Sequence, residues 1–300
     1  MKKLAIYFVL FLALFFLLDR GTDALMLRGI NRYYGLDRPG RVLLLGHSHL
    51  MLSTDKERME RELSTTISKY TREGVGVNER HVMLQHFLSL PGSDSLRVCL
   101  YGVDLCTFTV GGLAQNAYTM CYPFMDNPAI DQYIRSQAPA KDYWLHRLVH
   151  TTRFADDELK NGAIRGTLSD WSNRKYGTID IPAYRASLAR SGDRHIQMDP
   201  DLIAQFRSTI SLLTARGVRV ILVNTPTLDL LNEWDPEPYA EIISWFHDFA
   251  SRNPLVDFWD LNPQYSSRHD LFFDRIHMNA DGQTVITTEL INRLKPILER

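Results

Sequence analysis

The sequence predicts an α/β protein, a parallel sheet of about five strands with helices on both faces and one large insertion. Short apolar runs alternate with longer amphipathic stretches over most of the chain. Alternating strands and helices form parallel sheets, because each helix carries the chain back to the same edge of the sheet. The composition, 45% hydrophobic and 23% charged over 300 residues, is that of an ordinary globular protein.

The apolar runs define the predicted elements. The first strand is the run 41–45, four apolar residues after an arginine, which leads directly into Gly46. Further strands are predicted at 65–70, 96–101, 218–223 and 256–261. Helices are predicted at about 53–63, 78–90, 199–215, 236–252 and 280–298. Helices on both faces of this sheet give a three-layer, flavodoxin-like arrangement.

The alternation stops between about residues 106 and 200. This stretch is rich in Gly, Pro, Asn, Tyr and Trp and has only short helical patterns, such as 142–154. Long irregular segments inside a compact domain are usually functional or disordered, and the aromatic residues argue against disorder. We therefore expect an insertion that builds a lid or one wall of a substrate cleft.

The N-terminus has the pattern of a membrane anchor. Lys2 and Lys3 precede an apolar run, 4–18, that exceeds a signal-peptide core and falls a little short of the ~20 residues that span a bilayer. We predict an uncleaved anchor over residues 1–20, with cleavage near 22–24 as the alternative. Residues 21–40 are then a connector and 41–300 the α/β domain. The positive end stays cytoplasmic, which places the domain on the periplasmic side of the inner membrane.

Charge and cysteine content limit the classes of partner. Lys+Arg number 34 and Asp+Glu 35, giving a net charge of -1, so we expect no nucleic-acid partner. The cysteines Cys99, Cys106 and Cys121 follow no metal-ligand spacing. Cys99 lies in an apolar run and is expected in the core. A disulfide between Cys106 and Cys121 stays open for an exported chain, because sequence does not give the geometry.

Ser48 is the candidate nucleophile. It follows the first strand at the carboxyl edge of the predicted sheet, where such folds collect their reactive groups. A serine hydroxyl needs an imidazole to take its proton and a carboxylate to orient that imidazole. Asp274 and His277 are three residues apart, a spacing that places both side chains on one side of a turn. We predict that His277 is the base and that Asp274 holds its Nδ1 proton.

These two stretches resemble the motifs of a known family. Gly46-His47-Ser48-His49-Leu50 is similar to the nucleophile block of the SGNH/GDSL hydrolase superfamily, and Asp274-Arg275-Ile276-His277 to its Asp-x-x-His block. The resemblance covers roughly residues 41–298, apart from the insertion. It implies a Ser-His-Asp triad. It also implies an oxyanion hole built from the serine backbone, a glycine after the second strand and an asparagine after the third.

The sequence departs from this family at the oxyanion hole. His47 stands where the family has an aspartate, and Asp104 stands in the place of the asparagine. An ionised Asp104 would repel a developing oxyanion. The oxyanion candidates are Gly74, with Gly76 as the alternative, Asp104, and Asn224 as a substitute amide. In this variant form the chain resembles membrane-anchored envelope proteins that add or remove acyl groups on glycans.

We expect neither a cofactor nor a metal. Gly74-Val75-Gly76 resembles a dinucleotide loop, but Glu79 stands at the position of the third glycine. The histidines His47 and His49 are expected to point in opposite directions, and no Cys-rich or Glu-rich motif accompanies them.

The expected function is an extracytoplasmic, serine-dependent acyl-ester hydrolase or O-acyltransferase acting on a cell-envelope or secreted polysaccharide. Its substrate is an acylated glycan or another acyl ester, with the membrane and envelope assembly proteins as partners. Two alternatives remain open. One is a catalytically inactive relative that binds a glycan or a partner protein, and the other is a lipid or thioester hydrolase near the membrane.

Overall fold

The computed structural model describes residues 2–111 and 116–299. Its sheet is parallel throughout, with strand order β2-β1-β3-β4-β5. The strands are β1 Val42–Gly46, β2 Ile67–Thr71, β3 Val98–Val103, β4 Arg219–Asn224 and β5 Val256–Asp260. The predicted three-layer α/β fold with about five parallel strands is confirmed.

The five helices predicted outside the insertion are present, and the structure adds further helices both outside and within it. In chain order they are α1 Lys2–Tyr34, α2 Ser48–Leu52, α3 Lys56–Leu63, α4 Val77–Ser89, α5 Pro128–Gln137, α6 Ala140–Leu148, α7 Asp157–Leu168, α8 Ile181–Ser191, α9 Pro200–Thr214, α10 Asp229–Asn232, α11 Pro236–Ser251, α12 Asn262–Tyr265 and α13 Ala280–Leu298. Short 3-10 helices occupy Ser93–Ser95, Ala117–Phe124, His150–Phe154 and His269–Leu271.

The central strands are buried on both faces. Every residue of β1, β2 and β3 is buried, which explains the continuous apolar runs of β1 and β3. The edge strand β2 also buries the polar side chains of Ser68, Lys69 and Thr71. In the β1–β3 ladder Leu45 lies opposite Tyr101. Because this register is parallel, the residues that follow β1 and β3 come together at one edge of the sheet.

The chain forms two compact units. One, here called the helical unit, comprises Met1–Asp37 and Asn116–Asp170, and the other, the α/β unit, comprises Arg38–Gln115 and Trp171–Arg300. The predicted connector is therefore helical as far as Tyr34, since α1 continues beyond the apolar run. Only the middle part of the predicted insertion joins the helical unit. The part that contains α8 belongs to the α/β unit.

Helix α1 begins with an exposed apolar stretch. Its 33 residues correspond to a length of about 50 Å, and most side chains between Leu4 and Leu18 are exposed. By length and composition it can cross a membrane, although a signal sequence would pass the same test.

The second half of α1 packs closely on α7 through glycines. A Cβ on Gly29 would overlap the carbonyl oxygen of Ala163, and one on Gly166 would overlap the carbonyl oxygen of Gly29. The absence of side chains at these positions lets the two backbones approach each other. This contact holds the helical unit together.

Gly29→Ala should therefore destabilise the helical unit. Overpacking against a backbone oxygen lowers the free energy of unfolding by about 1–3 kcal/mol, which thermal unfolding of the detergent-solubilised chain measures as a lower Tm. Gly21→Ala is the matched control on the same helix, because no other atom lies within 4 Å of the point that its new methyl group would occupy. At that position the higher helix propensity of alanine should raise the free energy of unfolding by as much as about 1 kcal/mol. Equal Tm values for the two variants would contradict the close packing.

Candidate active site

Ser48 occupies the first position of α2, directly after β1. The preceding residue, His47, has an extended backbone (φ -92°, ψ -167°) and caps the helix: its Nδ1 accepts a hydrogen bond from the amide of His49 at 3.2 Å. The chain thus turns from strand to helix within two residues of Gly46. This sharp turn leaves the Ser48 side chain at the carboxyl edge of the sheet.

Leu50 anchors the short helix α2 against the sheet. A Cβ on Gly46 would come within 3.0 Å of the Leu50 side chain, and one on Gly102 within 3.1 Å. These two glycines lie at the ends of β1 and β3. Their lack of side chains lets the fully buried Leu50 pack across both strand ends and fixes the position of Ser48.

The loop after β5 folds around the carboxylate of Asp274. Its Oδ1 accepts hydrogen bonds from the amides of Ile276 and His277, each at 2.9 Å. Burial alone would raise the pKa of Asp274, but the hydrogen bond from the His277 side chain and these two amides hold that pKa below its ordinary value. The side chain is therefore an ionised acceptor at neutral pH.

Ser48, His277 and Asp274 form one hydrogen-bonded chain. The distance from His277 Nδ1 to Asp274 Oδ2 is 2.8 Å, and from His277 Nε2 to Ser48 Oγ also 2.8 Å. An ionised carboxylate can only accept, so the imidazole proton lies on Nδ1 and Nε2 accepts from the serine hydroxyl. The structure thus brings the three predicted residues together in the order that general-base activation of a serine requires.

Asn279 fixes the His277 loop to the last helix. Its Oδ1 accepts from the amides of Asp281 and Gly282, so Asn279 is the residue that caps α13. Its Nδ2 donates to the carbonyls of Asp270 at 2.8 Å and Gly177 at 3.0 Å. The buried amide therefore joins the start of α13 to the 3-10 helix that precedes it and to the loop before α8.

A second group of titratable side chains lies beside Ser48. Asp104 follows β3, and its Oδ2 lies 3.2 Å from His47 Nε2 and 3.4 Å from His49 Nδ1. The two imidazole centroids are 4.4 Å apart. The expectation that His47 and His49 point in opposite directions is wrong. Residues two apart in an extended strand share a face in any case, and here both rings converge on the same carboxylate.

This group consists of one ionised carboxylate and two neutral imidazoles. Burial lowers the pKa of His47 well below its ordinary value and that of His49 to about 4, although Asp104 opposes both shifts. Burial alone would raise the pKa of Asp104, but the Arg80 guanidinium and the Thr107 hydroxyl help to hold it below its ordinary value. Asp104 is thus an acceptor and cannot donate to an oxyanion.

The same donor set, His47, His49 and Asp104, has the residue types of a metal site. Its three ligand atoms lie within 4.8 Å of one another. However, His47 Nδ1 accepts the His49 amide, so in the neutral ring the proton lies on Nε2, the nitrogen that faces Asp104. A protonated nitrogen has no lone pair for a metal. The two nitrogens nearest Asp104, His47 Nε2 and His49 Nδ1, are buried and have no hydrogen-bond partner among the described residues. They lie close to the carboxylate without a hydrogen bond to it.

The other oxyanion candidates are distributed along the carboxyl edge. Gly74 lies in the turn after β2 with φ 74°, a backbone conformation that suits glycine. The amide of Gly76 donates to Glu79 Oε2 at 2.7 Å, which favours Gly74 over Gly76 as the oxyanion donor.

Asn224 ends β4, two strands from β1, and its Nδ2 donates to Asp260 at 2.8 Å. The Ser48 amide, at the first position of α2, is a further candidate donor, since such amides have no acceptor within the helix.

Arg80 is a buried cation that the sequence did not single out. Its guanidinium lies 4.8 Å from the Tyr101 ring and donates to the carbonyls of Gly76 and Gly102. It offsets the charge of Asp104. Its position on α4, three residues after Val77 and four before Leu84, lies on the core-facing side of the helix, and this spacing is the signal that could have identified it.

The cysteine thiols and one sizeable cavity play no part in the triad. Cys99, Cys106 and Cys121 are free thiols. A cavity of about 570 Å³ is lined by Arg41, Arg97 and other residues at the amino ends of the strands. It therefore lies at the edge of the sheet opposite to Ser48.

Comparison with known proteins yields similarities of structure only. No protein-family model and no curated protein matches the chain. Among solved structures, a candidate acylhydrolase from Bacteroides fragilis is 11% identical, with 89% of this chain and 94% of that chain covered and a TM-score of 0.45. The C-terminal catalytic domain of peptidoglycan O-acetyltransferase A (OatA) from Streptococcus pneumoniae is 11% identical, covering 86% and 94%, with a TM-score of 0.34. The lipase Lip_vut3 from a goat rumen metagenome is 12% identical, covering 83% and 94%, with a TM-score of 0.35. These values are too low to transfer an activity.

Asn279→Ala should destabilise the α/β unit and loosen the His277 loop. Loss of a helix cap lowers the free energy of unfolding by about 1 kcal/mol, and each lost buried hydrogen bond lowers it by a similar amount. Asn279→Ser is the matched control, because it keeps a capping oxygen and loses only the Nδ2 donor. We expect the Tm of Asn279→Ser to fall between those of the wild type and Asn279→Ala. Unchanged Tm values in both variants would contradict the role assigned to Asn279.

Proposed function

We propose that this chain is a membrane-anchored, serine-dependent acyl-ester hydrolase or O-acyltransferase of the SGNH type. The observation that carries the proposal is the hydrogen-bonded chain from Ser48 Oγ through His277 to Asp274, with 2.8 Å at both steps. The resemblance of both sequence motifs to that superfamily supports it. Ser48, His277 and Asp274 are the proposed catalytic residues.

The geometry supports a defined sequence of proton transfers. His277 Nε2 takes the hydroxyl proton as Ser48 Oγ attacks the acyl carbon, and Asp274 stabilises the resulting imidazolium. The tetrahedral intermediate collapses when His277 returns the proton to the leaving alcohol, and the acyl group remains on Ser48. Water or a second alcohol then takes the acyl group by the reverse steps.

The oxyanion requires donors that do not carry negative charge. We assign this role to the backbone amides of Ser48 and Gly74, because the side chain of Asp104 is an ionised acceptor and that of Asn224 is bonded to Asp260. The neutral imidazoles of His47 and His49 lie against Asp104. They disperse its charge next to the nucleophile.

The proposed substrate is an acylated glycan of the cell envelope or a secreted polysaccharide. The apolar stretch of α1 supports an anchor, and Lys2 and Lys3 before it favour an orientation with the α/β unit outside the cytoplasm. Transfer requires that a sugar hydroxyl reach the acyl-enzyme before water does.

Ser48→Ala should abolish turnover of small acyl esters such as p-nitrophenyl acetate. Loss of a serine nucleophile lowers kcat by about 10⁴-fold or more, since no covalent path remains. Ser208→Ala, an exposed serine on α9, is the matched control and should retain wild-type kcat. The kcat of each variant is measured on the detergent-solubilised chain and compared with that of the wild type.

Retained turnover in Ser48→Ala would show that Ser48 is not the nucleophile. Absence of turnover in the wild type, combined with glycan binding that Ser48→Ala leaves unchanged, would instead support a catalytically inactive glycan-binding protein.

A further inference from the structure

Helix α6 in the helical unit exposes an apolar face. Trp144, Leu145 and Leu148 have 55%, 44% and 60% of their surfaces exposed, respectively. Leu148 is four residues after Trp144 and three after Leu145, and residues at these spacings are neighbours on a helix surface. The three side chains therefore form one surface, here called the α6 face. Single exposed apolar residues are ordinary, but a tryptophan and two leucines together on one helical face indicate a contact.

The C-terminal end of α6 lies at the level where the apolar stretch of α1 ends. Asp19 is the first charged residue after that stretch, and its carboxylate accepts from the amides of His150 at 2.9 Å and Thr151 at 2.8 Å. The next residue, Arg20, donates to the carbonyl of Leu148 at 3.4 Å. These bonds fix the α6 terminus beside residues 19 and 20.

This level corresponds to the membrane interface of an anchored chain. Leu148 adjoins Arg20, and Trp144 is four residues, or about 6 Å, away along the helix. The interfacial layer on each side of the hydrocarbon is about 5–8 Å thick, so Trp144 stays within or at the edge of it whichever way α6 runs. Tryptophan is enriched in this layer, because its ring is apolar and its N–H is polar.

The charges at this level fit a lipid surface. The Arg20 side chain is 44% exposed, pairs with Asp19 at 2.7 Å through one guanidinium nitrogen, and lies 5.9 Å from the Phe16 ring. Lys141, at the start of α6, is exposed as well. Cations beside an apolar face are placed to meet lipid phosphates, while a protein partner would leave the adjoining lipid-facing stretch of α1 unexplained.

We propose that the α6 face rests in the interfacial layer of the same membrane that α1 enters, as a second attachment of the helical unit. The proposal rests on the anchor that belongs to the proposed function, and it is independent of the Ser48 chemistry. The bilayer is thus the occupant of the α6 face. Two attachment points would limit the rotation of the helical unit about α1.

The test uses the full-length chain in lipid nanodiscs made with phosphatidylcholine brominated near the headgroup, which quenches tryptophans that touch it. The emission of Trp144 is obtained by subtracting the spectrum of Trp144→Phe from that of the wild type, since the chain has 5 tryptophans. We expect this emission to fall by about half or more relative to discs of unbrominated lipid, because interfacial tryptophans contact the upper acyl chain.

A matched control lies in the same unit. Leu168 on α7 is 72% exposed, and its helix packs on α1 at Gly29, nine residues or about 14 Å beyond Arg20. Leu168→Trp, made in the Trp144→Phe background, should not be quenched.

Unquenched Trp144 emission from a chain that is incorporated in the discs would overturn the proposal and leave the anchor intact. Equal quenching of Trp144 and of the tryptophan in Leu168→Trp would also overturn it, because the contact would not be specific to the α6 face. A chain that does not enter the discs would overturn both the anchor and this proposal. None of these results bears on turnover by Ser48.

Discussion

The site depends on a hydrogen bond between residues 229 positions apart, from Ser48 Oγ to His277 Nε2. That bond requires the loops after β1 and β5 to meet, although the two strands are separated by β3 and β4. In a parallel sheet the carboxyl ends of all strands lie at the same edge, so the two loops lie at that edge. Leu50 positions Ser48 by packing against Gly46 and Gly102. Asn279 positions the His277 loop by capping α13.

The second constraint is the negative charge of Asp104. A buried carboxylate next to a site of developing negative charge opposes the reaction unless its charge is offset. Here the Thr107 hydroxyl and the Cys106 amide donate to Asp104, the imidazoles of His47 and His49 face it, and Arg80 lies nearby. His47, which stands where the resembled family has an aspartate, and Asp104 are therefore paired departures from that family's pattern.

Much of the α/β unit was predictable from local sequence. Buried parallel strands are continuous apolar runs, and Asp55, Asp199 and Asn279 are capping residues whose side chains bond the first turn of the next helix. The triad was predicted from the two motifs, because the parallel topology places both at the carboxyl edge of the sheet. The convergence of His47 and His49 was missed because strand periodicity was applied wrongly: side chains two residues apart in an extended segment lie on the same face. The helical unit was missed because its α1–α7 contact joins distant segments through small residues, which leave no periodic signal.

The central claim is that Ser48 carries the acyl group during turnover. Rapid acid quenching of the full-length chain with an activated acyl ester, followed by intact-mass and peptide mass spectrometry, measures this directly. The account predicts an early burst in which one acyl group per chain appears on the peptide containing Ser48, and no such adduct in Ser48→Ala. An adduct on another residue, or rapid ester turnover without any adduct on Ser48 and at the same rate in Ser48→Ala, would contradict it.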